Sequence, residues 1–178
     1  MPDEPPIVTT RYATAADARA LADLAARTFQ DTFAADNDPA EMARHLASAY
    51  GEDQQGREIA DATITTLLVD ADGALAGYAQ LRRGPPPAGV PREAPVELWR
   101  FYVDRAWHGR GVAQVLMQQV IEVARAAGAG TLWLGVWERN PRAQAFYRKS
   151  GFTDVGAHVF MLGTEAQTDR LFARPLVP

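Results

Sequence analysis

ELWRFYVDRAWHGRGVAQVLMQQV, residues 97–120, runs from strand to turn to helix without a spare residue. Glu97 to Val103 is rich in aromatic and β-branched residues and reads as a strand. Gly109-Arg110-Gly111 marks a turn. Beyond it Val112, Val115, Leu116, Val120, Val123 and Ala124 share one face of a helix that reaches about Ala127. A turn that passes straight into a helix presents backbone N–H groups without partners, backed by the positive end of the helix dipole. Such a place suits a phosphate. Glycines at 109 and 111 keep Cβ atoms out of an anion's way, and Ala113 keeps the next turn small. A short Gly-x-Gly equally describes a turn that merely joins strand to helix. The dinucleotide fingerprint wants a third glycine and an acidic residue ending the next strand. Here Val112-Ala113-Gln114 follows, and the next strand ends in GVWERN. The Gly-Lys-Ser/Thr ending of a P-loop is absent as well.

Upstream, residues 7–12 suit a short strand. Leu21, Leu24, Ala25, Thr28, Phe29 and Phe33 then recur at helical spacing, behind a Thr14–Asp17 pair that resembles a capping box. Pro39 opens a second helix that runs to Ala49, and EDQQGREIAD (52–61) allows a short third. TITTLLVDADGALAGYAQLRR (63–83) is two strands joined at Asp72-Gly73. GPPPAGVPREAP (84–95), with five prolines, is a loop between them and the stretch first quoted. Downstream come a near-continuous apolar strand (131–137), a helix capped by Asn140 and opened by Pro141, and two final strands. The order β-α-α-β-β-β-α-β-α-β-β predicts one mixed α/β domain over residues 1–178, without internal repeats.

The apolar fraction of 47% and charged fraction of 22% are those of an ordinary globular chain. With no cysteine, thiolate catalysis and cysteine-ligated metals are excluded. His45, His108 and His158 are scattered, so no metal site is expected. A net charge of −4 argues against nucleic acid as a partner. No window is long and apolar enough to span a bilayer, and the start MPDEPPIVTT is acidic and proline-rich, unlike a signal peptide. The expectation is a cytoplasmic protein with no membrane partner.

Two motifs carry a resemblance. His108-Gly109-Arg110-Gly111-Val112-Ala113 is similar to the Arg/Gln-x-x-Gly-x-Gly/Ala pyrophosphate signature of the GNAT superfamily of acetyl-CoA-dependent N-acetyltransferases, with His108 in place of Arg or Gln. NPRAQAFYRKSGF matches the family's second signature at Asn140, Ala143, Phe146, Tyr147, Gly151 and Phe152. The resemblance implies the GNAT fold: a mixed, mostly antiparallel sheet of about seven strands flanked by about four helices. It implies acetyl-CoA as cosubstrate, its pantetheine arm pairing with the backbone of Phe101, Tyr102 and Val103. The amides of Gly109, Arg110, Gly111, Val112 and Ala113 would hold the pyrophosphate, with His108 as a further donor or a solvated loop residue. Asn140 would reach the pantetheine end.

Tyr147 matches the family's general acid, which would protonate the departing thiolate; packing of its helix on the sheet is the alternative. Glu97 matches a carboxylate base found on this strand in several members. Strand alternation groups it with Trp99, Phe101 and Val103 on one face, and a salt bridge is the competing role. The first two helices of the fold usually line the acceptor pocket. Here they bring Asp31, Asp36, Asp38 and Glu41 around Phe29 and Phe33, with Trp99 across, a setting suited to a polycation. RTFQDTFAADNDPAEMARHLASAY also resembles the bacterial polyamine (spermidine/spermine) N-acetyltransferases. The implied reaction is direct attack of a small primary amine on acetyl-CoA in a ternary complex, by a chain that can also form a homodimer. Rival readings are acetylation of a protein N-terminus or lysine, and a CoA-binding module without turnover.

Overall fold

A computed structural model describes residues 4–176. Met1–Asp3, from the acidic start, and Val177 and Pro178 lie outside the described residues. Seven strands, β1 (Val8–Tyr12), β2 (Ile64–Ala71), β3 (Ala74–Arg83), β4 (Pro95–Val103), β5 (Thr131–Trp137), β6 (Thr153–Leu162) and β7 (Glu165–Pro175), form one sheet in the order β1-β2-β3-β4-β5-β7-β6. Neighbours are antiparallel except β4 and β5, which are parallel. The helices are α1 (Ala18–Phe33), α2 (Pro39–Ala49), α3 (Glu52–Ala60), α4 (Val112–Ala126) and α5 (Pro141–Lys149). This is the expected GNAT architecture, with five α-helices among the described residues in place of about four.

Local chemistry accounts for the boundaries. The Asp17 carboxylate accepts from the Thr14 amide at 2.7 Å, the reciprocal half of a capping box. The Asp38 side chain caps α2 by accepting from the amides of Ala40 and Glu41. Asp72 and Gly73 both have positive φ (50° and 79°), as a two-residue type I′ hairpin demands. On one sheet face α4 and α5 close over Leu116, Val120, Leu132, Leu134 and Phe172. On the other α1, α2 and α3 enclose Leu21, Phe29, Leu68, Tyr78 and Leu162.

One irregularity positions everything that follows. Gln80 pairs with Arg100 while Leu81 pairs with Leu98, so Trp99 is an extra residue in β4. A bulge reverses the parity of the side chains beyond it. Val96, Leu98, Phe101 and Val103 all pack on the α4 face, whereas Glu97 meets Arg82 and Arg100 turns toward α3. The expected grouping of Glu97 and Trp99 with Phe101 and Val103 on one face is therefore corrected: Glu97 lies opposite Phe101.

The bulge is braced by a buried polar network. The Arg100 guanidinium donates to Glu58 Oε2 at 2.5 Å and to Gln80 Oε1 at 2.7 Å. Gln80 donates on to Glu58 and Gln54 supplies a further donor, so the carboxylate is fully engaged. Glu58 is only 4% exposed, so removing its cation strands a buried charge. Arg100→Leu should lower the unfolding free energy by about 3–5 kcal/mol in chemical denaturation, more than an exposed ion pair could account for.

Candidate active site

β4 and β5 pair only from Pro95↔Thr131 to Glu97↔Trp133. Beyond that point β5 stays with β7, and the opposite edge of β4 from Leu98 to Val103 has no strand beside it. An unpaired strand edge offers a row of N–H and C=O groups to whatever extended chain enters the gap. The parted strands open into a continuous cavity of about 890 Å³.

At one end lie His108, Gly109, Gly111 and Ala113. Gly109 and Gly111 have φ of +76° and +84°, and a Cβ built on either would meet no atom within 4 Å. The glycines therefore serve the turn's left-handed backbone and leave open space before α4, rather than avoiding a clash within the protein. The first backbone bond into α4 is Val115 N–H to Gly111 C=O, so the amides of Val112, Ala113 and Gln114 stand free of intrahelical acceptors. The Val112 side chain is fully buried in the core and contributes only its amide. The Arg110 guanidinium stacks over Trp107 at 4.8 Å. His108 Nε2 sits 2.8 Å from the Val103 carbonyl, so the imidazole ties the turn to the end of β4 and only its other nitrogen is left for an anion. The cradle fits a pyrophosphate, and the free β4 edge beside it fits an extended amide-bearing arm. These are the parts acetyl-CoA requires.

Midway along, Tyr147 and Asn140 line the cavity from the α4 face. Asn140 Oδ1 caps α5 by accepting from the Ala143 amide at 3.1 Å, which leaves its NH₂ group to the cavity. Tyr147 lies among Phe101, Phe146 and Phe152, ring centroids 5.6–6.3 Å away, and burial pushes its phenol well above the ordinary range. Across the gap Glu97 Oε2 accepts from Arg82 Nε at 2.5 Å, and both Arg82 and Arg100 stack on Trp99. Glu97 thus has a salt bridge, to Arg82 of β3, and it also lines the cavity.

The far end is walled by rings. Phe29 and Phe33 are 4.3 Å apart, Phe33 meets Trp137 at 5.2 Å, and His45 stacks on Phe29 at 4.6 Å and faces Phe160. Burial first, then the Arg100 charge, lower the His45 pKa and keep its imidazole neutral at neutral pH. Asp31 and Asp36 line this end. Asp38 and Glu41 do not: the first is spent as the α2 cap, and the second is held by the Thr164 amide and hydroxyl and by Arg44. The acidic set expected from α1 and α2 is corrected to two residues.

Two residues that sequence reasoning passed over enter here. His158 on β6 and Asp169 on β7 are register partners, and both line the cavity. Burial, then the charge of Glu138, raise the Asp169 pKa to about 6. Because this folded pKa exceeds the unfolded one, the ionised group destabilises the fold above about pH 6, by about 3 kcal/mol, and the cost disappears below the unfolded value. His158 drew attention only as one of three scattered histidines, and no spacing along the chain links 158 to 169.

The model of the acetyltransferase (GNAT) family matches residues 19–152, which spans the glycine turn, Glu97, Asn140 and Tyr147. The chain belongs to that family. An uncharacterised N-acetyltransferase of Lactobacillus delbrueckii subsp. lactis, from the pepI 3′ region, is 37% identical over 84% of this chain and 87% of its own length. Among solved structures, the PaiA N-acetyltransferase of Thermoplasma acidophilum in complex with coenzyme A superposes with a TM-score of 0.78 at 18% identity, covering 95% of this chain and 99% of that one. A spermidine N-acetyltransferase SpeG chimera from Vibrio cholerae and hSSAT gives 0.70 at 17% identity, over 95% of each chain. At such identities these two structures share the fold. Family membership makes the protein an acyltransferase whose cosubstrate is acetyl-CoA.

The turn at Gly111 is the sharpest test of the cradle. Gly111→Glu would place a carboxylate at the start of α4, in the space a pyrophosphate needs. Titration calorimetry should show acetyl-CoA affinity reduced by about 100-fold or more in a variant that keeps the wild-type circular dichroism.

Proposed function

We propose that this GNAT enzyme moves an acetyl group from acetyl-CoA to a primary amine of a small, multiply charged acceptor of the polyamine kind, by direct attack with both molecules bound. One observation carries the reading: a single cavity joins the glycine turn to an end where aromatic rings and carboxylates converge. Faces of Phe29, Phe33 and Trp137 suit an alkyl-ammonium chain through apolar contact and cation–π attraction. Asp31 and Asp36 line that end and would hold an ammonium remote from the reacting nitrogen.

The roles of the reacting groups follow from their surroundings. The Tyr147 phenol, its pKa raised by burial, keeps its proton at neutral pH and is the group available to hand one to a departing thiolate. The rings of Phe101, Phe146 and Phe152 keep water from that step. Asn140 would orient the pantetheine end through its NH₂ group. Glu97 has one carboxylate oxygen free of Arg82, so it can meet the amine or a water.

Tyr147→Phe removes one oxygen from a site that is otherwise packed, so acetyl-CoA binding should persist while kcat falls roughly 10²–10⁴-fold. Wild-type turnover in that variant would leave Tyr147 a packing residue. The acceptor class has its own test. Asp31→Asn and Asp36→Asn should raise the KM for spermidine more than that for a simple monoamine, and the difference should shrink with added salt, since exposed charges are screened over about 8–10 Å at physiological ionic strength. Equal kcat/KM for the two amines, unmoved by both changes, would remove the polyamine reading.

A further inference from the structure

The acceptor end of the cavity contains a carboxylate with nothing to do in the fold. Asp169 has a side chain 13% exposed, and no described residue donates a hydrogen bond to it; His158 Nε2 stands 3.9 Å from its Oδ2, beyond hydrogen-bond distance. Of the other carboxylates at this cavity, Glu97 is held by Arg82, while Asp31 and Asp36 line its α1 side away from β7; behind it Glu58 is held by Arg100. An isolated carboxylate is costly to bury, so a fold that retains one without a donor leaves it free to meet a cation from outside.

Gly135 shows where that cation would come from. It lies on β5, two residues past the last β4–β5 pair, on the wall of the gap. A Cβ built there would sit 3.0 Å from Asp169 Oδ2 and 3.1 Å from His158 Nε2. The carboxylate and the imidazole therefore converge over a strand position that has no side chain, at the mouth of the gap between β4 and β5. Trp137 and Asp169 are register partners on the same face, which places the acid beside the aromatic wall.

We propose that Asp169, with His158 beside it, receives the proton of the acceptor's ammonium as the amine becomes nucleophilic. The inference rests on the N-acetyltransferase reading above and deepens it. The nitrogen loses two protons. The first passes to the Asp169 carboxylate and from there to solvent, leaving a lone pair that forms the carbon–nitrogen bond to the acetyl carbon. The carbon–sulfur bond then breaks with its electron pair on sulfur, the thiolate takes a proton from Tyr147, and the second nitrogen proton restores that hydroxyl. The products are the N-acetyl amine and the free thiol of CoA.

The groups that face Asp169 are His158 on β6, Glu138 at the end of β5 and Tyr102 on β4, with Glu97–Arg82, Glu58–Arg100, His45 and Asp31 around the rest of the cavity. Burial and Glu138 give the acid a pKa of about 6, so it is ionised at neutral pH and closer to the pH of catalysis than an ordinary carboxylate. Its share of the rate should disappear as pH falls through about 6.

Wild type and Asp169→Asn are compared for amine-dependent thiol release from pH 5 to 10, with acetyl-CoA affinity measured by calorimetry. The proposal expects unchanged affinity and a kcat about 100-fold lower at pH 7, recovering toward pH 10, where the amine is already neutral. Glu97→Gln should alter the profile less. Carboxyl ¹³C NMR of the protein alone should show Asp169 titrating near 6. Gly135→Ala, which keeps both side chains but crowds them with a methyl group, should lower kcat and leave acetyl-CoA binding intact, which covers the case of an Asp169→Asn chain that does not fold. A wild-type pH profile in Asp169→Asn, or a KM raised equally at every pH, would overturn the proton-transfer role while acetyl transfer itself stands. Wild-type protein that acetylates no amine would overturn both readings.

Discussion

β4 and β5 are held together at Pro95–Glu97 and nowhere beyond, and the rest of the molecule is arranged around that parting. Parallel neighbours in the interior of a sheet would ordinarily zip along their full length, since each unpaired peptide group forfeits a hydrogen bond. Here the extra residue at Trp99 bends and twists β4, while β5 follows its seven-residue pairing with β7. The result is a strand with one free edge inside the protein. That edge, the glycine turn at its end and the ring of Tyr147 line one side of the cavity. Glu97, Gly135 and Asp169 line it from the other.

The regular pairing of the sheet is interrupted in this region, as it also is at Val69–Asp70 and Asp154–Gly156. A buried Arg100–Glu58 pair stands behind the bulge, and Gln80 and Gln54 complete the carboxylate's partners, so the irregular backbone rests on a satisfied polar network. Replacing such a pair with apolar groups is often neutral for stability. Its presence here is understood through position: the guanidinium lies against both Tyr50 and Trp99 and holds the bulged residue in place. Asp169 is the opposite case, a half-hidden acid with no donor, which lowers stability and gains its meaning only with a cation beside it. Departures from local consistency concentrate where a ligand is expected to complete them.

Much of this was legible in the chain. The Asp72-Gly73 hairpin, the Thr14–Asp17 box, the Asn140-Pro141 helix start and the Gly109–Gly111 turn are signals carried by neighbouring residues, and each acts within a few peptide units. Periodicity likewise placed α1 and α4, whose buried residues Leu21, Phe29, Leu116 and Val120 face the sheet as their spacing requires. The two family signatures lie on these local features, which is why fold and cosubstrate could be anticipated from residues alone.

What the chain could not disclose was which distant residues share a face. Alternation along β4 put Glu97 with Phe101, and a single bulge, whose cause lies in the pairing with β3 and the network to α3, turned them apart. Asp38 and Glu41 looked like members of an acidic pocket until a helix cap and Thr164, 123 residues away from Glu41, claimed them. His158 and Asp169 were silent because only the antiparallel register of β6 and β7 makes them partners, and only the missing side chain of Gly135 on a third strand lets them reach the cavity. The sequence by itself determined the elements, their order, the glycine turn before α4 and the family. The tertiary structure decided which side chains face the cavity, because strand register and bulges depend on hydrogen bonds between segments far apart in the chain.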